Sequence, residues 1–336
     1  MLQKHPDRTV LITGGAGFIG SHLVDYLLLR DEYTSWHVVV VDNFDPSSYP
    51  AGTKRANIAR HLSNPRFTLH ETDIRRKEDL AKVFASHDID VVVHLASRAG
   101  VRPSLANPAD YIETNVTGTL HLLDCARDSG VPQFVFGSSS SVYGAAPRVP
   151  SRETDATAAP ISPYAASKAA GELLCHTYAH LYALRCVCLR FFTVYGARQR
   201  PDLAVHKFAR LIREGRPVPV FGDGSARRDY THVDDIVRGV RAAIDYGGGS
   251  GYEVFNLGGS QAVELGTLVS ALEAALGREA VVQRLEVQPG DVPVTYADTS
   301  KARDVLGYEP RTRIGTGIPM FVEWFLEQEQ GGEDGG

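Results

Sequence analysis

Seven residues near the start of the chain, Gly14-Gly15-Ala16-Gly17-Phe18-Ile19-Gly20, restrict what it can fold into more than any others. They follow a β-branched run at 9–13 and open a stretch in which Ile19, Leu23 and Leu27 recur at helical spacing. Glycines at a strand-to-helix turn let backbone amides and the helix N-terminus come close to a pyrophosphate, where the aligned peptide dipoles favour negative charge. The turn predicts the first unit of a dinucleotide-binding sheet, with Gly14, Gly17, Phe18, Ile19 and Gly20 against the cofactor.

Further runs at 37–41, 66–70, 90–95, 133–137 and 185–191 alternate with helical stretches. Runs such as VVVV (38–41) and DVVVHL (90–95) offer no polar face, as expected of parallel strands covered by helices on both sides. The expectation is an α/β fold: a doubly wound parallel sheet, a Rossmann domain, over about residues 1–195, with ligands at the carboxyl ends of its strands. Beyond Tyr195 the alternation breaks into helices near 202–214 and 233–246, a turn at 221–224, a strand at 253–257, and pieces at 264–276, 281–287 and 316–329. These are assigned to a smaller mixed substrate-binding lobe, 196–330, interleaved with the first across a soft boundary. The tail 331–336 has nothing to bury and is expected to fray.

Composition excludes several classes of partner. The formal charge of −5 provides no global basic field for nucleic acid or an anionic membrane, so an anionic ligand must find a local cluster of arginines. No window approaches the roughly 18 consecutive apolar residues of a membrane span, and the apolar stretch at 9–20 is too rich in glycine for a secretory signal. Cys125, Cys175, Cys186 and Cys188 form no C-x-x-C and stand near no histidine at metal-ligand spacing. They read as reduced, buried thiols, which favours the cytoplasm and predicts no metal.

Asp42 ends the second strand, where a carboxylate accepts hydrogen bonds from the adenosine ribose and repels a 2′-phosphate; the expected cofactor is NAD. Asp73, after the third strand, either receives the adenine amino group or caps the next helix. Tyr164 and Lys168 lie at i and i+4 behind Pro163, which suits a first helical turn, so phenol and ammonium share a face. A tyrosine with its ordinary pKa of about 10 is a poor base at neutral pH, and lowering it to about 7 takes roughly 4 kcal/mol of electrostatic help. Lys168 and an oxidised nicotinamide are the expected sources, and the run Ser138–Ser141 offers a hydroxyl to orient the substrate oxygen.

GGAGFIG (14–20), VDN (41–43), HLAS (94–97), Asn115, SSSSVYG (138–144), SPYAASK (162–168) and RRDYTHVDD (227–235) together resemble the extended short-chain dehydrogenase/reductases, in their nucleotide-sugar epimerase/dehydratase branch. The resemblance spans about residues 9–327 in the right order. It implies that Tyr164 is the acid/base, Ser139 its hydroxyl partner, and Lys168 the holder of the nicotinamide ribose. Asn43, Ile74, Leu95, Ala96, Ser97 and Asn115 would line the cofactor; Arg200, Phe221, Arg228 and Asp291 would grip a uridine diphosphate, with Arg102 also among the substrate-binding residues.

Within this branch the resemblance implies withdrawal of the C4 hydroxyl proton and the C4 hydride, giving a 4-keto sugar. Dehydratases and decarboxylases carry acids where this chain has Ser140 and Ser141, which leaves epimerisation. The stretches FFTVYG (191–196), AGVRPS (99–104) and RQRPDLA (198–204) resemble UDP-glucuronate 4-epimerases, with Ser140, Ser141 and Thr193 as donors to the C5 carboxylate. Thr295 leaves space in the sugar pocket, so UDP-glucose or UDP-N-acetylglucosamine is the alternative substrate. A noncatalytic NAD-binding regulator is the remote alternative, against which all three catalytic residues stand. The family implies a homodimer through helices near 107–129 and 162–183.

Overall fold

The computed structural model describes residues 7–145, 148–248, 251–286 and 292–333. Its strands, in chain order, are β1 (Arg8–Thr13), β2 (Trp36–Asp42), β3 (Phe67–Glu71), β4 (Val91–His94), β5 (Gln133–Ser139), β6 (Arg185–Phe191), β7 (Thr193–Tyr195), β8 (Val218–Phe221), β9 (Arg227–His232), β10 (Tyr252–Leu257), β11 (Ala262–Glu264) and β12 (Val282–Leu285). Seven of them form one parallel sheet in the order β10-β6-β5-β4-β1-β2-β3.

The apolar runs explain why this sheet is covered on both faces. Along β1 and β2, Val10, Ile12, Val38 and Val40 point into one core with Leu23, Leu27, Ile236 and Val240. The intervening Leu11, Val39 and Val41 point into the other with Leu80, Val83, Leu122 and Phe134. Strand order reverses between β1 and β4, which opens a crevice at their carboxyl ends.

The strand expected at 253–257 in the smaller lobe runs instead in the main sheet, as β10 at its edge beside β6. The helix Val233–Asp245 accompanies it, burying Ile236, Val237 and Val240 in the same core as Phe255 and Leu257. The apolar faces of 233–257 find their complement on the first lobe, so the chain crosses into the second lobe and returns.

The second lobe has its own core, in which the helices Ala204–Glu214, Leu265–Leu276 and Ile314–Glu333 bring together Phe208, Ile212, Leu268, Leu272, Ile318 and Phe321. Two small sheets, β11-β9-β7 and β12-β8, edge it. The last helix runs to Glu333, into the stretch expected to fray, carried there by the helix-forming run Glu327-Gln328-Glu329-Gln330. No helix among the described residues is long and apolar enough to cross a membrane.

Candidate active site

The glycine turn packs so tightly that side chains are excluded from it. Gly14 has φ +70°, and a Cβ there would stand 2.7 Å from the amide nitrogen of Ala96. A Cβ on Gly20 would collide with the carbonyl oxygen of Gly14. The helix Phe18–Leu28 starts at Gly17 with no side chain capping its first amides. A bare floor and an uncapped helix N-terminus suit a pyrophosphate.

This turn forms one end of a cavity of about 320 Å³, lined also by Asp42, Asn43, Asp73, Ile74, Leu95, Ala96, Ser97, Gly137, Ser139, Tyr164, Lys168 and Arg200. Asp42 is buried at the end of β2, where its carboxylate accepts the amides of Ala16 at 3.1 Å and Phe44 at 2.9 Å. Burial pushes its pKa up. Asp73 lies in the wall and also caps the following turn, accepting the Arg75 amide at 2.9 Å and the Arg75 guanidinium at 2.7 Å. Burial opposes its charge, yet the bonds from Arg75 and Asn43 hold the carboxyl down at about 2.

Asn115 does not line the cavity. It is buried one layer behind, where Nδ2 donates to the Arg98 carbonyl and to the Ser167 hydroxyl at 2.9 Å each, and Oδ1 accepts the Arg98 amide at 2.7 Å. It fixes the loop after β4 against the helix Pro163–Tyr182. Arg98 in turn reaches across to Ser47 and, at 3.0 Å, to Asp45, while Lys54 donates to the Asp45 carbonyl at 2.7 Å. Arg98, Tyr49 and Lys54 line the cavity and went unnamed in the sequence reading. For Arg98 the signal was present: a cation just past a strand end, in a chain that must hold anions with local arginines.

Ser162 caps the helix Pro163–Tyr182, accepting the Ala165 amide at 3.1 Å, with Pro163 in its first turn. Tyr164 and Lys168 thus stand one turn apart beside the end of β5. The Lys168 ammonium donates to the Gly137 carbonyl at 2.7 Å and lies 5.1 Å from the Phe136 ring centre. Burial lowers its pKa to about 8, against the pull of Glu172 and Cys175. Ser139 ends β5 and caps the turn that follows, accepting the Ser141 amide at 3.2 Å and donating its hydroxyl to Ser141 Oγ at 3.2 Å; it lies in the cavity wall beside Tyr164 and favours its ionised form.

Of the two cations expected to lower the tyrosine, Lys168 is engaged by the Gly137 carbonyl. Desolvation raises the phenol above its usual 10, opposed by the neighbouring Ser139 hydroxyl and the charge of Arg200.

Of the described residues expected at the nucleotide-sugar end, Ser139 and Arg200 line the wall of this cavity and the others do not. Ser140 and Ser141 form the turn Ser140–Tyr143, half-buried, and Thr193 begins β7, also half-buried. Arg200 is held by Asp202 at 2.6 Å and by the Ala99 carbonyl at 3.3 Å. The Arg102 guanidinium stacks 4.3 Å above the Phe221 ring, bridging the short helix Val101–Ala106 to β8. Arg228 bonds the carbonyls of Arg227 and Pro293 at 2.9 and 3.4 Å. Asp291 lies outside the described residues.

A family model described as the NAD dependent epimerase/dehydratase family matches residues 10–258. The chain is 40% identical over 319 residues to a UDP-glucuronate 4-epimerase of Thermodesulfobacterium geofontis, covering 94% of this chain and 96% of that one. Among solved structures it is similar to UDP-glucuronic acid 4-epimerase from Bacillus cereus in complex with UDP-glucuronic acid and NAD, with TM-score 0.89 and 37% identity over 95% of this chain and 99% of that one. It is also similar to UDP-glucose 4-epimerase from Thermotoga maritima, with TM-score 0.86 and 34% identity over 96% and 99% of the two chains.

Proposed function

The chain belongs to the NAD-dependent epimerase/dehydratase family, and from that premise we propose that it inverts C4 of a UDP-sugar, converting UDP-glucuronate to UDP-galacturonate. The observation that carries this reading is the meeting of Tyr164, Ser139 and Lys168 in the same cavity as the bare glycine turn and Asp42. The residues suit a dinucleotide: the uncapped helix N-terminus for pyrophosphate, Asp42 for the adenosine ribose, Lys168 for the nicotinamide ribose. When bound, NAD+ supplies a hydride acceptor and a positive charge.

The protein's own groups do the rest. Desolvation raises the Tyr164 phenol, so it becomes a base only beside added positive charge. It then takes the C4 hydroxyl proton while Ser139, beside it in the cavity wall, orients the oxygen. After the keto sugar turns over, the same phenol returns a proton to O4. No carboxylic acid stands at 140 or 141 to drive elimination or decarboxylation. A 4-keto-glucuronate is a β-keto acid, which loses CO2 when its carboxylate bond aligns with the carbonyl π system. Hydroxyls of Ser140, Ser141 and Thr193 would hold the carboxylate out of that alignment.

UDP-glucuronate, UDP-glucose and UDP-N-acetylglucosamine, offered to the purified protein without added NAD, test the reading. Formation of UDP-galacturonate with neither pentose nor CO2 is expected; net reduction, or no C4 inversion of any of the three, overturns it. The second reading, epimerisation of UDP-glucose or UDP-N-acetylglucosamine, draws on the small Thr295 beside β9, which accepts the Asp229 amide at 3.4 Å.

We also infer a homodimer. Ile112, Leu173, Leu181 and Tyr182 are exposed on the helices Pro108–Ile112 and Pro163–Tyr182, and a second copy pairing the same face would cover them. Four buried, unpaired cysteines suit a reducing compartment, so we place the protein in the cytoplasm.

A further inference from the structure

Beneath the end of β5 lies a buried charged pair that the mechanism above leaves without a task. Glu172 stands one turn beyond Lys168 on the helix Pro163–Tyr182, and Arg190 stands on β6; each is 4% exposed. They meet at two points, Arg190 Nη2 to Glu172 Oε2 at 2.7 Å and Nε to Oε1 at 2.9 Å. The Ser138 hydroxyl adds a bond to Oε1 at 2.6 Å, and Ser138 is the residue before Ser139. On the far side Arg190 Nη1 donates to the Tyr143 hydroxyl at 2.9 Å and to the Glu153 carbonyl at 3.3 Å. Tyr143 passes the chain on to Asn256 at 2.6 Å.

Stability alone is a poor reason for such a pair, because buried ion pairs can often be replaced by uncharged residues of similar volume without loss. Its position suggests another reason. Around Lys168 the titratable and charged groups are Tyr164, Glu172 and Cys175 on its own helix, His94 on β4, and Arg190 on β6 beyond Glu172; Arg200 faces Tyr164. His94 is held neutral, its pKa lowered to about 3 by burial and by Lys168. Burial raises the Cys175 thiol well above its usual value, so it too is uncharged. Glu172 is the carboxylate that opposes the cost of burying the Lys168 ammonium.

We propose that Glu172 is a positioning residue for the proton transfer: clamped by Arg190 and Ser138, it sets a fixed carboxylate one helical turn from Lys168 and holds the strand end that carries Ser139. Arg190 holds both carboxylate oxygens of Glu172, and Ser138 ties the catalytic helix to β5 one residue from Ser139. The inference rests on Tyr164 being the acid/base of the proposed epimerase.

Glu172→Gln alone would strand a buried guanidinium, so the test uses the neutral pair Glu172→Gln with Arg190→Gln. Glu172→Met with Arg190→Met is the second choice should the first not fold. The ultraviolet band of the Tyr164 phenolate is followed against pH on the NAD-loaded protein, with Tyr164→Phe as blank. Without the carboxylate Lys168 discharges at lower pH and the phenolate loses a cation. The Tyr164 midpoint is expected to rise by about half a unit to one unit, and the alkaline limb of kcat to move to lower pH by a similar amount. Glu172→Asp keeps a paired charge, so its midpoint is expected to stay at the wild-type value even where its rate falls. A folded, NAD-retaining neutral pair with an unmoved midpoint and limb overturns the inference, as does an aspartate variant that shifts as far as the neutral pair. The titration needs no sugar. Failure of the epimerase reading would show as a wild-type protein that titrates normally and turns nothing over, whereas failure of this inference would leave turnover intact.

Discussion

Tyr164 must serve as both acid and base at one oxygen, and its environment sets which form is the resting one. With desolvation holding the phenol protonated, Tyr164→Phe deletes the proton acceptor while leaving the ring and its edge-on contact with Tyr111, 6.2 Å between centres. Turnover is expected to fall by about 10³-fold with the melting temperature unchanged, read by epimer formation and by circular dichroism. Thr193→Val removes one hydroxyl at nearly constant volume; if it helps restrain the carboxylate, the variant releases more CO2 per turnover and binds UDP-glucuronate less tightly. Unchanged CO2 and affinity would remove Thr193 from the site. His94 carries a pH dependence whose sign follows from its bonds. The Thr119 hydroxyl is spent on the Asn115 carbonyl at 2.6 Å, so His94 Nε2 donates to Thr119 at 2.9 Å and Nδ1 accepts from Thr13 at 2.7 Å. Burial, with Lys168 adding to it, lowers the pKa from 6.5 to about 3, so this histidine's contribution is complete above 6.5 and is lost as pH falls from there toward 3. The loss reaches at most about 5 kcal/mol, and the urea midpoint of His94→Gln should fall less steeply over that range than that of the wild type. Single residues were legible where chemistry forces a residue type, as at Tyr164, Lys168 and Asp42. Asn115 was misplaced by one layer because spacing along a chain does not reveal which side of a loop a side chain supports.

Elements were legible wherever the pattern left one solution. The first six strands lie where doubly apolar runs place them, since nothing but a covered parallel sheet buries Val38 to Val41 on both faces. β10 was not assigned to that sheet, because YEVFNL reads equally well as a strand of either lobe and only its partner β6 decides. The loop after β2 is the other element the sequence hid. It is tied down by Arg98, whose backbone Asn115 grips and whose guanidinium holds Asp45 and Ser47. The loop flanks the glycine turn, so this tie should govern how firmly the dinucleotide is retained. Arg98→Ala removes a charged hydrogen bond and is expected to speed release of bound NAD by about tenfold, measured by dilution into a scavenging dehydrogenase. Asp45→Asn should act in the same direction if the strap is what matters. Were Arg98 instead a direct partner of the pyrophosphate, releasing it from Asp45 would leave retention equal or better.

At the scale of the whole molecule, the chain enters the second lobe three times, returning to the first at 233–257 and again where Ala302 and Tyr308 join the first core. Residues 233–257 complete the main sheet, while the core of the second lobe takes Phe208 and Ile212 from before that return and Leu268, Leu272 and Phe321 from after it. Neither lobe is a contiguous stretch, so cutting at any one point leaves an apolar face without its complement. Partial unfolding should be as costly as complete unfolding, and the lobes should come apart together. The two tryptophans allow each lobe to be watched separately. Trp36 lies in the first core, stacked near Arg241 at 4.7 Å, and Trp324 packs on the core of the second lobe. Trp324→Phe leaves a reporter of the first lobe alone, and Trp36→Phe a reporter of the second. In urea each fluorescence midpoint, measured against far-ultraviolet circular dichroism on the same variant, is expected to coincide with the loss of helix and sheet. Midpoints that separate, with the Trp324 signal lost first while the sheet persists, would mean that the 233–257 return adds too little across the boundary to couple the lobes. The lobes would then act as independent folding units despite their shared chain path.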